Sequence, residues 1–363
     1  MISKFVVLFV GALATQVAWA GDSSWTDRFT LGGDLRFEHD AISKTAPNDN
    51  AGRHRGRFRL RMATKVNIDE STDVYVRLSS GDSSSAISGN SAFTSNSTKK
   101  SIGIDHAYLN WHPSSELEVL VGKQKNPLQV VEQSQILFDN DYAPEGLAVV
   151  HESSRFFAMG AAYLLQERSP QADGTSEPDS SLLSVMAGVH QSASEGLGYK
   201  VGLGYHDFTN VKDNAALTSF EGNSNTGTRY VHEYRVAEAL GQVDWTTAEW
   251  KLSVYVDHAH NYGAKDHNQA LTSGLQWQTL RDGKADWTVG YAYLTLEKDA
   301  TVASINWSDF ADGEDGSNGH MVEVRKQLSK KVSFGIQHMA ANIDNAGSPF
   351  VMHRTQSQLL AKF

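Results

Sequence analysis

The stretch Arg53-His54-Arg55-Gly56-Arg57-Phe58-Arg59-Leu60-Arg61-Met62 decides the fold. Arginine occupies every second position from 53 to 61, Lys65 extends the row, and Phe58, Leu60 and Met62 fill the positions between. Successive side chains of a strand point to opposite faces, with same-face neighbours about 6.6 Å apart. The segment therefore reads as a strand with one cationic and one apolar face, because a helical period would scatter the charges around the axis.

The alternation continues on both sides. Phe29, Leu31, Gly33, Leu35 and Phe37 alternate with Thr30, Gly32, Asp34, Arg36 and Glu38, and Val74, Val76 and Leu78 alternate with Tyr75, Arg77 and Ser79. Followed along the chain, the pattern predicts sixteen strands, from 29–38 and 56–68 through 102–112, 197–208 and 285–296 to 353–363. Long connections at 40–55, 82–101, 125–145, 209–230 and 297–317 take turns with short ones at 69–72, 113–115 and 247–248. An even number of two-faced strands joined in this rhythm is the pattern of an all-β chain forming a transmembrane antiparallel up-and-down β-barrel. A one-face-buried soluble sheet shows the same alternation but has no reason to alternate its loop lengths. Closure follows from the solvent: hydrocarbon offers no partner to an unpaired backbone amide, so the strands must leave no free edge. The apolar stripe then faces lipid and the arginine row faces the lumen. Trp111, Trp245, Trp250, Trp277 and Trp287 fall near predicted strand ends, where an interfacial girdle or ordinary sheet packing would use them.

The chain opens with Lys4, an apolar block over 5–14 and the small residues Ala18 and Ala20, which reads as a secretory signal peptide over 1–20 and leaves 21–363 as one barrel domain. It ends with Leu359, Ala361 and Phe363 on one face, and the terminal aromatic resembles the carboxy-terminal signal by which outer-membrane barrels are recognised for insertion. The absence of cysteine from all 363 residues excludes disulfides, cysteine-ligated metals and cysteine nucleophiles. A formal charge of −10 argues against nucleic acid as a partner.

Catalytic readings find little support. Gly81-Asp82-Ser83-Ser84 has the outline of a serine-esterase block and Asp257-His258-Ala259-His260 supplies histidines, but nothing brings the two segments together, so no catalytic residue is assigned and an outer-membrane hydrolase stays a remote alternative. His258 and His260 fall short of the three or four ligands of a zinc site, and neither a metal nor a cofactor is expected. Asp309, Asp312, Glu314 and Asp315 lie in a glycine-containing stretch that lacks EF-hand order and reads as a solvated loop, with calcium or a bridging divalent cation at the lipopolysaccharide surface as the less favoured alternative.

The candidate site is the lumen. Arg36, Arg57, Arg59, Arg61, Lys65 and Arg77 would line it together with Asp34 and Glu38. Like charges at this spacing repel and favour acidic partners, which Glu132, Asp139, Asp141 and Glu145 supply if loop 125–145 folds inward as a constriction. A solvated polar face and an electrostatic track steering organic anions both remain open for the row.

These residues also carry a resemblance. Gly33-Asp34-Leu35-Arg36, the Arg53–Arg61 stretch, Arg77-Leu78-Ser79-Ser80-Gly81, Asp105-His106-Ala107-Tyr108-Leu109 and Gly122-Lys123-Gln124-Lys125-Asn126-Pro127 resemble the putative porin family of Gram-negative outer membranes, as does Leu137–Asp141 with Pro144–Ala148. The likeness covers roughly 31–150. It implies passive diffusion of small hydrophilic solutes and ions through a sixteen-stranded channel, with outer-membrane lipid, lipopolysaccharide and the barrel assembly machinery as partners and a homotrimer as one oligomeric option.

Overall fold

Each predicted run becomes a strand paired antiparallel to its neighbours in sequence order. The chain runs through β1 (Phe29–Lys44), β2 (Arg53–Asp69), β3 (Thr72–Ser80), the two-residue β4 (Ser91–Ala92), β5 (Ile102–Ser114), β6 (Leu117–Lys123), β7 (Glu145–Glu152), β8 (Phe156–Gln166) and β9 (Ser180–Gln191). It continues through β10 (Gly196–Thr209), β11 (Tyr234–Thr246), β12 (Trp250–Asn261), β13 (Gln269–Arg281), β14 (Lys284–Leu296), β15 (Ser317–Ser329), β16 (Val332–Ile343) and β17 (Phe350–Lys362). β4 only leans on β2 from the loop above it. The other sixteen close into a barrel, since β17 pairs with β1 from Asp34 opposite Lys362 to Lys44 opposite Met352. This computed structural model describes residues 25–45, 52–93, 95–168, 177–344 and 349–363, so the leader assigned to 1–20 lies outside the described residues.

Several strands outrun the apolar alternation. β1 reaches Lys44 instead of stopping near 38, β2 starts at Arg53 and β17 at Phe350. Here both faces carry polar groups, as at His39, Asp40 and Ser43, so hydrogen-bond pairing persists where a hydrophobic signal has stopped. The loop rhythm is strict: even 344–349, the shortest connection at the long-loop end, exceeds 192–195, the longest turn at the other end.

At the seam, Gly33 N–H donates to the Phe363 carbonyl at 3.1 Å and Phe363 N–H returns a bond to the Gly33 carbonyl at 3.0 Å. A Cβ on Gly33 would run into the Phe363 ring and the Arg61 carbonyl. The glycine thus lets the terminal ring lie flat across the closing pair, in the manner of an aromatic covering an edge glycine.

Burial alternates around the wall. Leu31, Val121, Leu147, Val185, Leu203 and Val254 are exposed on the outer face, while their sequence neighbours turn inward. Trp111, Trp245, Trp277 and Trp287 are exposed on that outer face close to the short turns, and Trp250 shares their position. The lumen is divided along its length. Toward the long loops it is filled by three inward-folded segments, 124–144, 210–233 and 297–316, whose Val131, Ile136, Leu137, Val211, Tyr230, Val302, Trp307 and Phe310 form an apolar core inside the barrel. Toward the turns it opens into a polar cavity of 1040 Å³.

Candidate functional site

Strand β2 delivers its arginines to the inner face by parity alone, and Arg55, Arg57, Arg59 and Arg61 each meet a carboxylate there. Arg57 Nε donates to Glu38 on β1 at 2.7 Å, and its Nη2 lies 3.5 Å from both Asp40 and Asp309. Arg59 Nη1 donates to Asp141 at 2.9 Å while Nη2 reaches Asp34 at 3.3 Å. Arg61 binds the same two acids, at 2.7 Å to Asp34 and 3.3 Å to Asp141. Arg55 donates to Asp40 at 2.7 Å.

Arg354 on β17, 1% exposed at its side chain, completes the cluster with Asp40 at 2.9 Å, Asp309 at 2.6 Å and Asp312 at 3.5 Å. Sequence reasoning missed Arg354 and Asp40. The available signal was parity: Leu359, Ala361 and Phe363 face out, so Arg354, Gln356 and Gln358 must face in. Six guanidinium groups, including Arg36, thus stand among six carboxylates, and the row carries little net charge.

Arg36 is the loosest member. Its Nη2 donates to Asn90 at 2.8 Å, Glu38 is 3.8 Å away, and its buried Nε has no hydrogen-bond partner. Lys65 and Arg77 face the same lumen but pair separately, with Asp73 at 2.8 Å and Asp105 at 2.5 Å.

Loop 124–144 crosses the lumen and is fastened on both sides. On the arginine side, Asp139 Oδ2 accepts from the Ser308 hydroxyl at 2.8 Å and amide at 3.1 Å, which joins this loop to 297–316. On the far wall, Ser134 Oγ donates to Asp257 of β12 at 2.5 Å, Gln133 donates to Glu323 of β15, and Glu132 exchanges hydrogen bonds with Gln242 of β11. Glu145 is not brought to this place: it opens β7 with an exposed side chain paired to Lys123 at 3.0 Å.

The 309–315 segment departs from the solvated loop expected of it. Phe310, Ala311 and Asp315 are buried, Asp309 is held by Arg354 and Arg57, Asp312 lies between Lys44 at 3.0 Å and Arg354 at 3.5 Å, and Asp315 accepts from Asn306 at 2.7 Å. Its acids serve as inward ligands of guanidinium and amide groups, so acidity there did not signal hydration.

Electrostatics differ sharply within this loop pair. Burial and the neighbouring Asp141 charge push the Asp139 carboxyl up to about 7. Burial also opposes ionisation of Asp141, but Arg59, Arg61 and Arg36 outweigh it and hold that carboxyl below the usual range. Arg354 and Arg57 likewise overcome burial at Asp309. A cavity of 30 Å³, room for about one water, lies among these groups and shares Arg36, Gln135, Asp139, Asn140, Trp307 and Asp309 with the lining of the large cavity.

The two segments considered for esterase chemistry stay apart. Asp257 faces inward to Ser134, His258 and His260 face outward on β12, and 81–84 lies in the loop after β3. Ser184, His206 and Glu238 do line up, at 3.0 and 3.1 Å, but Ser184 and His206 are sealed between the wall and Phe138, with no path for an acyl substrate. Gly204 leaves the space this trio occupies, since a Cβ there would meet both His206 and Glu238.

A family model described as "Putative porin" matches residues 39–238 and 243–363. No curated protein matches the chain. The high-pH structure of Pseudomonas putida OprB shares the fold with a TM-score of 0.65 at 10% identity, over 94% of this chain and 95% of that one. A triple mutant of Rhodopseudomonas blastica porin gives 0.53 at 10% identity, over 92% and 100%. The loop L8 deletion mutant of OmpT, an outer membrane protein of Vibrio cholerae, gives 0.50 at 11% identity, over 92% and 99%. Identities this low speak for the fold alone, whereas the family match spans nearly all of the barrel. The closed sixteen-stranded wall, the loop folded into its lumen and that match together make the chain a member of the putative porin family, a multi-pass β-barrel of the outer membrane.

Proposed function

We propose that this porin lets small hydrophilic solutes and ions diffuse passively through its lumen, past a constriction where loop 124–144 faces the arginine row. The observation that carries this reading is the 1040 Å³ cavity, lined by Asn110, Gln276, Gln278, Glu323 and Gln337 from strands around the wall and meeting the small polar gap at Arg36. Apolar groups outside and hydrogen-bonding groups inside are what a water-filled passage through lipid requires. Long loops would lie outside the cell and both termini in the periplasm, with residues 1–20 removed on export and Phe363 read by the assembly machinery.

Selectivity for organic anions is the second reading. The loose pairing of Arg36 favours it, and the carboxylates around Arg57, Arg59 and Arg61 weaken it, because a neutralised row steers little. Single-channel recording in planar bilayers tests both. Steps of current in simple salt are expected without any added solute. A barrel that inserts yet passes no current would overturn the porin reading, and block by a small carboxylate at micromolar concentration would favour the selective one.

A further inference from the structure

Five strands that are neighbours in the wall, β15, β16, β17, β1 and β2, each carry one exposed histidine on the outer face near the long-loop end: His320, His338, His353, His39 and His54. They share parity with the lipid-facing Val322, Ile336, Leu359, Phe37 and Phe58 but stand beyond them, where the apolar band stops. Four of them form two stacked pairs across strands, His39 with His54 at 5.5 Å and His338 with His353 at 5.7 Å between ring centroids. Between the pairs the register sets Ala41 opposite Thr355, Ser43 opposite His353 and His39 opposite Ser357. The result is a low saddle of small side chains bracketed by imidazoles.

We infer that this saddle is a docking surface for the phosphate groups of outer-leaflet lipid. Three observations favour that occupant. The first is depth: with the long loops outside, as proposed above, the saddle lies at the upper edge of the apolar band, where headgroups begin. Charge is the second. No Asp or Glu occupies an outward position in the loop-side half of these five strands, the outward Asp69 lying at the turn end of β2, whereas the opposite wall carries Glu145 and Asp207 at its loop-side edge. The third is the donor arrangement. His338 Nδ1 is 2.9 Å from Thr355 Oγ1 and His320 Nδ1 is 2.8 Å from the Tyr291 hydroxyl, so each ring spends one nitrogen on the wall and keeps the other for an acceptor outside. The turn-side rim carries tryptophans and the single outward His151, so the row of histidines on five adjacent strands belongs to one leaflet.

Native mass spectrometry of the detergent-purified protein with added lipid A tests this. The wild type should retain diphosphorylated lipid A about ten-fold more strongly than the phosphate-free form. Replacing His39, His54, His338 and His353 by phenylalanine, which keeps aromatic bulk at the interface, should remove that preference while single-channel conductance stays unchanged. If the fourfold variant fails to fold, the two lipids compared on the wild type, and His39→Phe with His54→Phe alone, still decide. Equal retention of the two lipids by the wild type overturns the inference. So does a variant that keeps its phosphate preference but changes oligomeric state, which would make the saddle a contact between barrels. Because conductance is read separately, loss of lipid preference and failure of the channel reading are distinguishable.

Discussion

Asp141 binds Arg59 and Arg61 at once and sits between the wall and the loop that crosses the lumen. Taking its charge away leaves two guanidiniums sharing Asp34 beside the narrow polar gap. Asp141→Asn keeps the shape of the side chain and removes one negative charge from a site walled by protein, where the field of a single charge is worth about 1 kcal/mol to a passing monovalent ion, or roughly five-fold in relative permeability. The reversal potential in a salt gradient should therefore move toward anion preference, most clearly at low ionic strength where screening is weak. An unchanged reversal potential in a folded variant would place Asp141 away from the ion path. The arginines themselves were legible as an inward-facing row because a strand has a period of two. Their neutralisation was legible only in part: Asp34 and Glu38 sit on the adjacent strand, but Asp40, Asp309 and Arg354 arrive from a strand extension, a distant loop and the closing strand.

Among the elements, loop 124–144 lies beyond the reach of a strand's two-residue period, although its composition carries a second signal. Alternation says nothing about a loop, and the acids in it are compatible with a hydrated surface. A subtler mark was its run of Val130, Val131, Ile136, Leu137 and Phe138, too much apolar surface for a segment left in water, and 297–316 carries the same mark in Ile305, Trp307 and Phe310. The two loops meet through Asp139 and Ser308. Because the Asp139 carboxyl titrates higher in this contact than in a free loop, the folded contact binds its proton more tightly. That contribution is complete below the ordinary carboxylate pKa of about 4 and is lost as pH rises through about 7. Raising the pH from about 5 to 8.5 should therefore loosen the contact and add a negative charge beside Asp141, giving noisier current and a stronger cation preference. Asp139→Asn should hold the low-pH behaviour throughout. A pH step of the same size in that variant would assign the effect to another group.

At the scale of the whole molecule the barrel is an inside-out protein over half its height and a conventional one over the rest. Near the turns the wall separates lipid from a polar cavity; near the long loops it encloses an apolar core of its own. The wall was readable from parity and loop rhythm because lipid imposes one rule on every strand. The enclosed core was not, because residues far apart in sequence build it. This division predicts opposite tolerances for the same substitution. Leu203 lies at the middle of β10 on the outer face, 66% exposed once lipid is removed, and arginine there must carry its charge into hydrocarbon, at a cost of about 2 to 4 kcal/mol near the midplane. Gln278 on β13 faces the 1040 Å³ cavity opposite Lys251, whose charge is already paired with Asp244, so Gln278→Arg finds water there and should cost less than about 1 kcal/mol. Equilibrium folding into lipid vesicles, followed by the heat-dependent shift in gel mobility, measures both. Equal penalties would mean that Leu203 is covered by another barrel instead of lipid, or that the cavity is closed to solvent, and measuring Leu203→Gln alongside separates the two, since a neutral polar side chain costs little at a protein contact and more in hydrocarbon.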